Sequence, residues 1–526
     1  MLGDLYRTGF RRGPFASERG DVLSAGGRRF QTEALPCGAP RRNREPILNV
    51  RAPRKGESID LLLEDIDDKG RAFGQFEGRT VRTRGGVPGS HVRVRVHRRR
   101  RSEIEAAIEE VLQPGENSVD ARCRHFGSCG GCSFQNVLYR TQLAGLERSL
   151  ERLLEPITAL RPGLEMAPTL GCSEPWHYRN KMDFTFGNRR WIETSEPEGV
   201  ASDFALGLHV PGRYDKVLDV QSCDIAFKEA TPILNTAREL ALEAGLSGWD
   251  VHAHDGLLRH LLLRRSFASG EILAALFTTE EERSVVDPYL SKLLDTHPEI
   301  TSCVQRIKPG SAMVASGGEE RLLKGEGFIT EKLGGLDYRI STDTFFQTNS
   351  LQAELLCKQV VAAAGVEEDE VVYDLCCGCG PWALSVAAMR RAASSPVYGF
   401  ELVESAVEDA RENARNNGID NAVFIAGDIA KVLTPQSLNE RKLPAPSLCI
   451  VDPPRAGLPP KVVRALTELR PRRIVYVSCN PRSAVRDLTL LGEGAYYVAS
   501  IQPIDLFPHT PHLECVFTVE LDGGGF

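Results

Sequence analysis

Hydrophobic and polar positions follow two different rhythms along the chain, and the change of rhythm divides it. Between residues 58 and 112 the pattern is short and two-residue. Residues 59–63 form one apolar run, while 80–82 and 91–96 alternate strictly, Val92, Val94 and Val96 against Arg93 and Arg95. Period-two alternation predicts half-buried strands, and Gly70, Gly74 and Gly78 mark the turns. Several short strands in so little chain predict a small β-barrel over residues 51–115. Residues 116–340 read as a mixed α+β domain, with strands at 207–210, 257–263 and 271–277, a helix at 231–244 and a polar surface loop at 193–199. Past residue 341 apolar runs at 371–375, 397–401, 422–426, 447–451 and 473–477 alternate with helical patterns such as 406–417. That alternation predicts an α/β, doubly wound parallel sheet over 341–526. Runs at 495–502 and 513–520 are read as extra edge strands.

Residues 1–50 have no periodicity. Arg7, Arg11, Arg12, Arg19, Arg28 and Arg29 are compatible with an organellar transit peptide, whereas Asp4, Glu18 and Asp21 fit a disordered extension better. The expected location is therefore the cytoplasm, or a mitochondrion or plastid if the segment is a transit peptide.

Composition sharpens this picture. A chain of 526 residues exceeds a single core. No apolar run approaches the roughly 20 residues of a membrane helix. The net charge of −7 argues against blanket nucleic-acid binding. Yet nine arginines fall between residues 79 and 101 with no Asp or Glu among them. Arg82, Arg93 and Arg95 are expected to meet RNA phosphates; the alternative is a charged edge that prevents aggregation.

Fourteen cysteines are too few for a disulfide framework in so long a chain. Cys123, Cys129 and Cys132 cluster in a Gly-rich loop, with Cys223 as the expected fourth thiolate and His125 as the weaker choice. Four thiolates suit an iron–sulfur cluster or a structural zinc.

The run Asp374-Leu375-Cys376-Cys377-Gly378-Cys379-Gly380 follows the first strand of the α/β region. It is neither a dinucleotide fingerprint, since Ala383 replaces the third Gly, nor a P-loop. Acids close the next strands: Glu401, placed for ribose hydroxyls, then Asp428, placed for an adenine amino group, then Asp452. Strand-end acids without a phosphate motif point to S-adenosylmethionine; a single such acid is often only a helix N-cap.

Cys479, in Ser478-Cys479-Asn480-Pro481, leaves the end of a strand where open α/β sheets bind ligands. A methyl donor beside a thiol implies a carbon acceptor. Thiolate addition to C6 of a pyrimidine makes C5 nucleophilic, and a base must later remove the C5 proton. Glu514 is the best placed base, with His509 and His512 as competitors. The acceptor base must leave its stack, and Phe345 or Phe346 can receive it, although at least one of the two is expected in the core.

These residues together resemble the RNA 5-methyluridine methyltransferase family, in its ribosomal-RNA type with an N-terminal TRAM domain and a [4Fe–4S] cluster. The likeness spans about residues 55–525. The resemblance implies Cys479 as nucleophile, Glu514 as base, Phe345 stacked on the flipped base, and Gln347, the turn with Cys376, Gly378 and Pro381, Glu401 and Asp452 around S-adenosylmethionine. Cys376 and Pro381 stand where the family carries an aromatic and an Asn, and residues 1–50 have no family counterpart. The expected protein is a monomer acting on structured RNA, rRNA or tRNA, and on neither DNA nor a membrane. The rival readings are a cytosine-C5 RNA methyltransferase and a non-catalytic iron–sulfur RNA-binding protein.

Overall fold

The α/β rhythm is realised as seven strands, β1 (Val372–Leu375), β2 (Val397–Glu401), β3 (Ala422–Ala426), β4 (Leu448–Val451), β5 (Arg473–Ser478), β6 (Tyr496–Ile504) and β7 (Glu514–Leu521), numbered within this sheet. Their order is β3-β2-β1-β4-β5-β7-β6. The first five are parallel. This computed structural model describes residues 53–159, 163–164, 166–193, 196–390 and 395–522; the expectations for residues 1–50 lie outside them.

Successive residues of a strand point to opposite faces, and each face has its own core. Ile474 and Tyr476 of β5 pack with Val462, Leu466 and Leu488 of the helices Pro460–Leu469 and Pro481–Glu493. Val475 and Val477 pack on the other side with Leu356, Val360 and Leu384 of the helices Ser350–Ala364 and Pro381–Met389. Burial on both faces explains why these strands read as unbroken apolar runs.

One expectation is corrected. Of the two late strands only β6 lies at an edge; β7 runs antiparallel between β5 and β6. The reason is physical: Cys515, Val516 and Phe517 are all buried, which demands a covered strand on both faces.

The N-terminal barrel is built from Ser58–Leu62, Asp65–Ile66, Ala72–Phe76, Arg79–Thr83, His91–Arg99 and Glu103–Gln113. Ser58–Leu62 forms one edge and Asp65–Ile66 the other, yet they are consecutive in the chain. The link crosses between edges, with the Leu63 amide donating to Ser90 O (2.9 Å) and the Glu64 amide to Phe73 O (2.7 Å). The curl is thereby closed. Val92, Val94 and Val96 fill its core as the alternation predicts.

The barrel seats on the helix Tyr139–Thr158. Asp65 takes salt bridges from Arg148 (2.8 Å) and Arg152 (2.9 Å), and Ile66 lies so close to Gly145 that a Cβ there would meet it at 2.7 Å. Leu146, Leu150 and Leu154 of that helix join the core containing Leu488 and Leu491. Asp68 completes the seat by pairing with Arg482 on the helix after Cys479.

The central region is an eight-stranded sheet covered on one face by the helices Ala230–Glu243 and Arg283–Thr296. Its other face, through Leu262, Leu273, Phe277 and Val304, enters the same core as Leu356 and Trp382. The hairpin Phe328–Leu333 and Leu336–Ser341 leads into the loop bearing Phe345 and Gln347.

Candidate active site at the carboxyl ends of the strands

The parallel order reverses between β1 and β4, and ligands of open α/β sheets bind beyond the carboxyl ends at such a point. Cys376 continues β1 with a left-handed backbone (φ 64°), and Gly378 (φ 53°) and Gly380 (φ 90°) follow before Pro381 opens a helix. A Cβ at Gly378 would project into open space, so the turn leaves an unfilled cradle. The Gly378 amide donates to Glu401 Oε2 (3.0 Å), and the amides of Leu402 and Val403 hold Oε1 (2.7 and 3.0 Å). Glu401 is thus fixed at the end of β2, facing the turn.

Asp374 is fully buried and accepts from the Ala383 amide (2.9 Å), while its Oδ1 has no partner. Burial pushes its carboxyl well above the ordinary range. Asp452 follows β4 and accepts from Trp382 Nε1 (3.1 Å); burial raises it to about 6. Trp382 was not singled out from the sequence, because a Trp in an apolar helix reads as core. Asp428 does what a strand-end acid most often does: it caps the helix Ile429–Val432 by accepting from the Ala430 amide (2.9 Å).

Cys479 follows the last residue of β5, and Asn480 stands at the N-cap position of the next helix, its side chain turned to Arg455. The β5–β7 register pairs Ser478 with Cys515, so the next antiparallel step sets Cys479 opposite Glu514. Cys479 is half-buried and Glu514 is 2% exposed. Burial, then Asp452, push Glu514 up to about 8, against the opposing charge of Arg455. Burial, then Glu514 and Asp452, push the Cys479 thiol up to about 11, again opposed by Arg455. Arg455 is held by its carbonyl, which accepts from Asn480 Nδ2 (2.7 Å) and Ser483 Oγ (3.1 Å). One cation therefore acts on both titrating groups.

The two histidines separate. His512 lines the small cavity that Cys479 also lines; burial and the charges of Arg455 and Arg179 depress its ring. His509 is buried against Trp176 (ring centroids 4.0 Å) and engages Gln142 Nε2 (3.1 Å). It supports the loop rather than facing the thiol.

Phe345 and Phe346 also part. Phe346 is core, whereas the ring of Phe345 is 70% exposed. Gln347 is tied by its carbonyl, which accepts from Asn180 Nδ2 (2.9 Å). Arg179, unmarked in the sequence reading, acts electrostatically on His512 and lines the neighbouring cleft, its Nε buried and without a partner.

That cleft, of about 800 Å³, is lined by Cys123, Cys129, Cys132 and Cys223. Burial pushes Cys129 to about 11 and Cys132 to about 12, with Cys223 adding to each. His125 has both ring nitrogens engaged, Nδ1 with Glu193 (3.2 Å) and Nε2 accepting from the Gln221 amide (3.0 Å). Among the described residues no three His, Cys, Asp or Glu side chains converge on a point for one metal ion.

The arginines expected to meet RNA are not free. Arg93 pairs with Asp60 and Glu110 (both 2.9 Å), Arg95 with Glu109 (2.5 Å), and Arg82 with Asp67 (3.1 Å) and Glu103 (3.4 Å). The carboxylates absent from that sequence stretch arrive from neighbouring strands. Among the described residues no helix is long and apolar enough to cross a membrane.

Known proteins match this architecture. Residues 311–521 match the family model described as tRNA (uracil-5-)-methyltransferase. An uncharacterized RNA methyltransferase of Chlorobaculum tepidum is 36% identical over 474 residues, covering 89% of this chain and 97% of that one. Another, from Caldanaerobacter subterraneus, is 36% identical over 89% of this chain and 99% of its own. The crystal structure of Pyrococcus abyssi tRNA (uracil-54, C5)-methyltransferase in complex with S-adenosyl-L-homocysteine is 27% identical, with a TM-score of 0.68, covering 88% of this chain and all of that one. With a cysteine at a strand end, a buried acid near it and relatives of this extent, the chain belongs to the RNA methyltransferases of the tRNA (uracil-5-)-methyltransferase family.

Proposed function

We propose that the protein transfers a methyl group from S-adenosylmethionine to C5 of a uridine in structured RNA, through a covalent bond between Cys479 and C6. The observation that carries the reading is that Cys479 and the buried Glu514 flank the last β5–β7 pair, Ser478 with Cys515, close enough for the Glu514 charge to act on the thiol. Bound S-adenosylmethionine supplies an electrophilic methyl group. Gln347, the open cradle at Cys376, Gly378 and Pro381, and the acids Glu401, Asp428 and Asp452 would hold it. The exposed ring of Phe345 receives the extruded uracil.

The Cys479 thiol loses its proton and its sulfur bonds to C6. The displaced electron pair makes C5 a nucleophile. Once C5 is methylated, the Glu514 carboxylate removes the C5 proton, the C6–S bond breaks, and the thiolate is regenerated. One proton is released overall. A carboxyl near 8 exchanges protons readily at cellular pH.

The cysteine cleft fits a thiolate-bound cluster. Cys123, Cys129, Cys132 and Cys223 line one cleft, and four thiolates are the donor set of a [4Fe–4S] cluster. Its role here is taken as structural.

The test has two parts. Nucleoside mass spectrometry of rRNA and tRNA fractions, with and without the protein, is expected to show 5-methyluridine rising in one fraction; no change in either sinks the reading. Glu514→Gln is expected to trap a covalent RNA adduct, and Cys479→Ala to form none. An adduct persisting in Cys479→Ala moves the nucleophile elsewhere.

A further inference from the structure

A cavity of about 640 Å³ lies outside the chemistry described above. It adjoins the loop that leads to Glu514: Trp176 in its wall stacks on His509, and the Tyr178 hydroxyl donates to Pro508 O (3.1 Å). Leu351, just beyond the Phe345 loop, lines it too.

Its lining repeats one arrangement. The Arg122 guanidinium lies 5.3 Å over the Trp176 ring and reaches Asp224 at 3.1 Å. The Arg265 guanidinium lies 4.8 Å over the Phe267 ring and reaches Glu229 at 3.3 Å. Lys228, exposed, adds a third cation. Each partly exposed ring is thus covered by a guanidinium that a carboxylate also engages, and Arg122 reaches His177 Nε2 as well (3.3 Å). Methyl transfer uses none of these residues.

We propose that this cavity receives a second unpaired nucleotide of the same RNA, distinct from the target uridine, its base against Trp176 or Phe267 and its phosphate on Arg122, Arg265 or Lys228. Aromatic rings beside cations are the elements of sequence-tolerant single-strand binding. A volume of this size suits one nucleotide. Glu174 and Glu229 also line the cavity. Their charge opposes a polyphosphate and tolerates the single charge of a phosphodiester, so the occupant is a nucleotide within a chain, not a free triphosphate. The inference rests on RNA being the substrate, and it adds that RNA is gripped at two extruded positions on either side of the 507–512 loop.

The test uses the full chain. The Cys479→Ala protein is irradiated with a single-stranded oligonucleotide containing 4-thiouridine, and cross-linked peptides are mapped. A cross-link in the peptide of Trp176 or Phe267 is expected; cross-links confined to other peptides overturn the proposal. Kinetics follow on whichever RNA fraction wild type methylates. Loss of one stacked base predicts about a tenfold higher KM for Trp176→Ala, with kcat within about twofold, and recovery in Trp176→Phe. Because Trp176 also supports His509, Arg265→Glu and Lys228→Glu test the cavity without touching that stack; each is expected to raise KM severalfold. Unchanged KM in both charge variants, or a fall in kcat alone for Trp176→Ala, overturns the proposal. If wild type methylates neither fraction, the catalytic reading falls, while the cross-link still decides the cavity.

Discussion

Glu514 is expected to be a site where catalysis and stability oppose each other. Its carboxyl is raised from 4.5 to about 8, with burial the largest cause. A raised folded-state value means the protonated acid is what the fold favours. The stability so contributed is fully present below about pH 4.5 and is lost as pH rises toward 8. Each tenfold in the protonation equilibrium is about 1.4 kcal/mol, so wild type loses about 3 kcal/mol by pH 7, where the unfolded carboxyl is ionised and the folded one is not, and close to 5 above pH 8. Glu514→Gln keeps the shape and hydrogen-bonding size of the neutral acid and never ionises. It is expected to match wild type near pH 4.5, to exceed it by about 3 kcal/mol at pH 7 and to gain further toward pH 9, while losing turnover. The assay is the denaturant midpoint of both proteins at matched pH values, read as their difference. Asp505, raised to about 6, is common to both proteins and drops out of that difference, whereas Asp452, whose charge acts on Glu514, contributes to it. A difference that stays constant between pH 4.5 and 9, or that favours wild type at high pH, refutes the reasoning.

Three further outcomes follow from the geometry. Arg455→Ala removes the cation that lowers both Cys479 and Glu514, so the rise of kcat/KM with pH is expected to move to higher pH; a limb that stays or moves down contradicts this. Phe345→Ala should leave stability within about 0.5 kcal/mol while raising KM for RNA, whereas Phe346→Ala should cost about 3–5 kcal/mol, both read by unfolding and methylation assays; the reverse ordering would exchange their roles. Anaerobically purified protein should be brown and lose its iron in Cys223→Ala but keep it in His125→Ala, since both ring nitrogens of His125 are already engaged; a colourless protein with stoichiometric zinc rules out the cluster.

The sequence carried the α/β sheet well because its strands are buried on both faces. Runs such as Leu448–Val451 are apolar throughout and sit between helical patterns. The antiparallel insertion of β7 was not legible, since periodicity reports burial and not neighbours. Cys479 stood out through the strand it ends, and the pairing Ser478–Cys515 now places Glu514 across from it. Charge counted along the arginine-rich stretch omits Asp60, Glu109 and Glu110, which pair with its arginines from neighbouring strands. Of two adjacent phenylalanines, only coordinates could say which faces solvent. Arg179 and Trp382 carried no signal, because a lone Arg before a strand and a Trp in an apolar helix are commonplace.

The register of β5 against β7 has an evolutionary consequence. Cys479 and Glu514 flank the last β5–β7 pair, Ser478 with Cys515, so main-chain pairing sets their separation. Length changes in the helix Pro481–Glu493 can be absorbed as drift without parting the two. A single-residue deletion just after Glu514 would instead force either the acid or the rest of β7 onto the opposite face. Lineages should therefore tolerate indels in that helix and purge them at the start of the last strand.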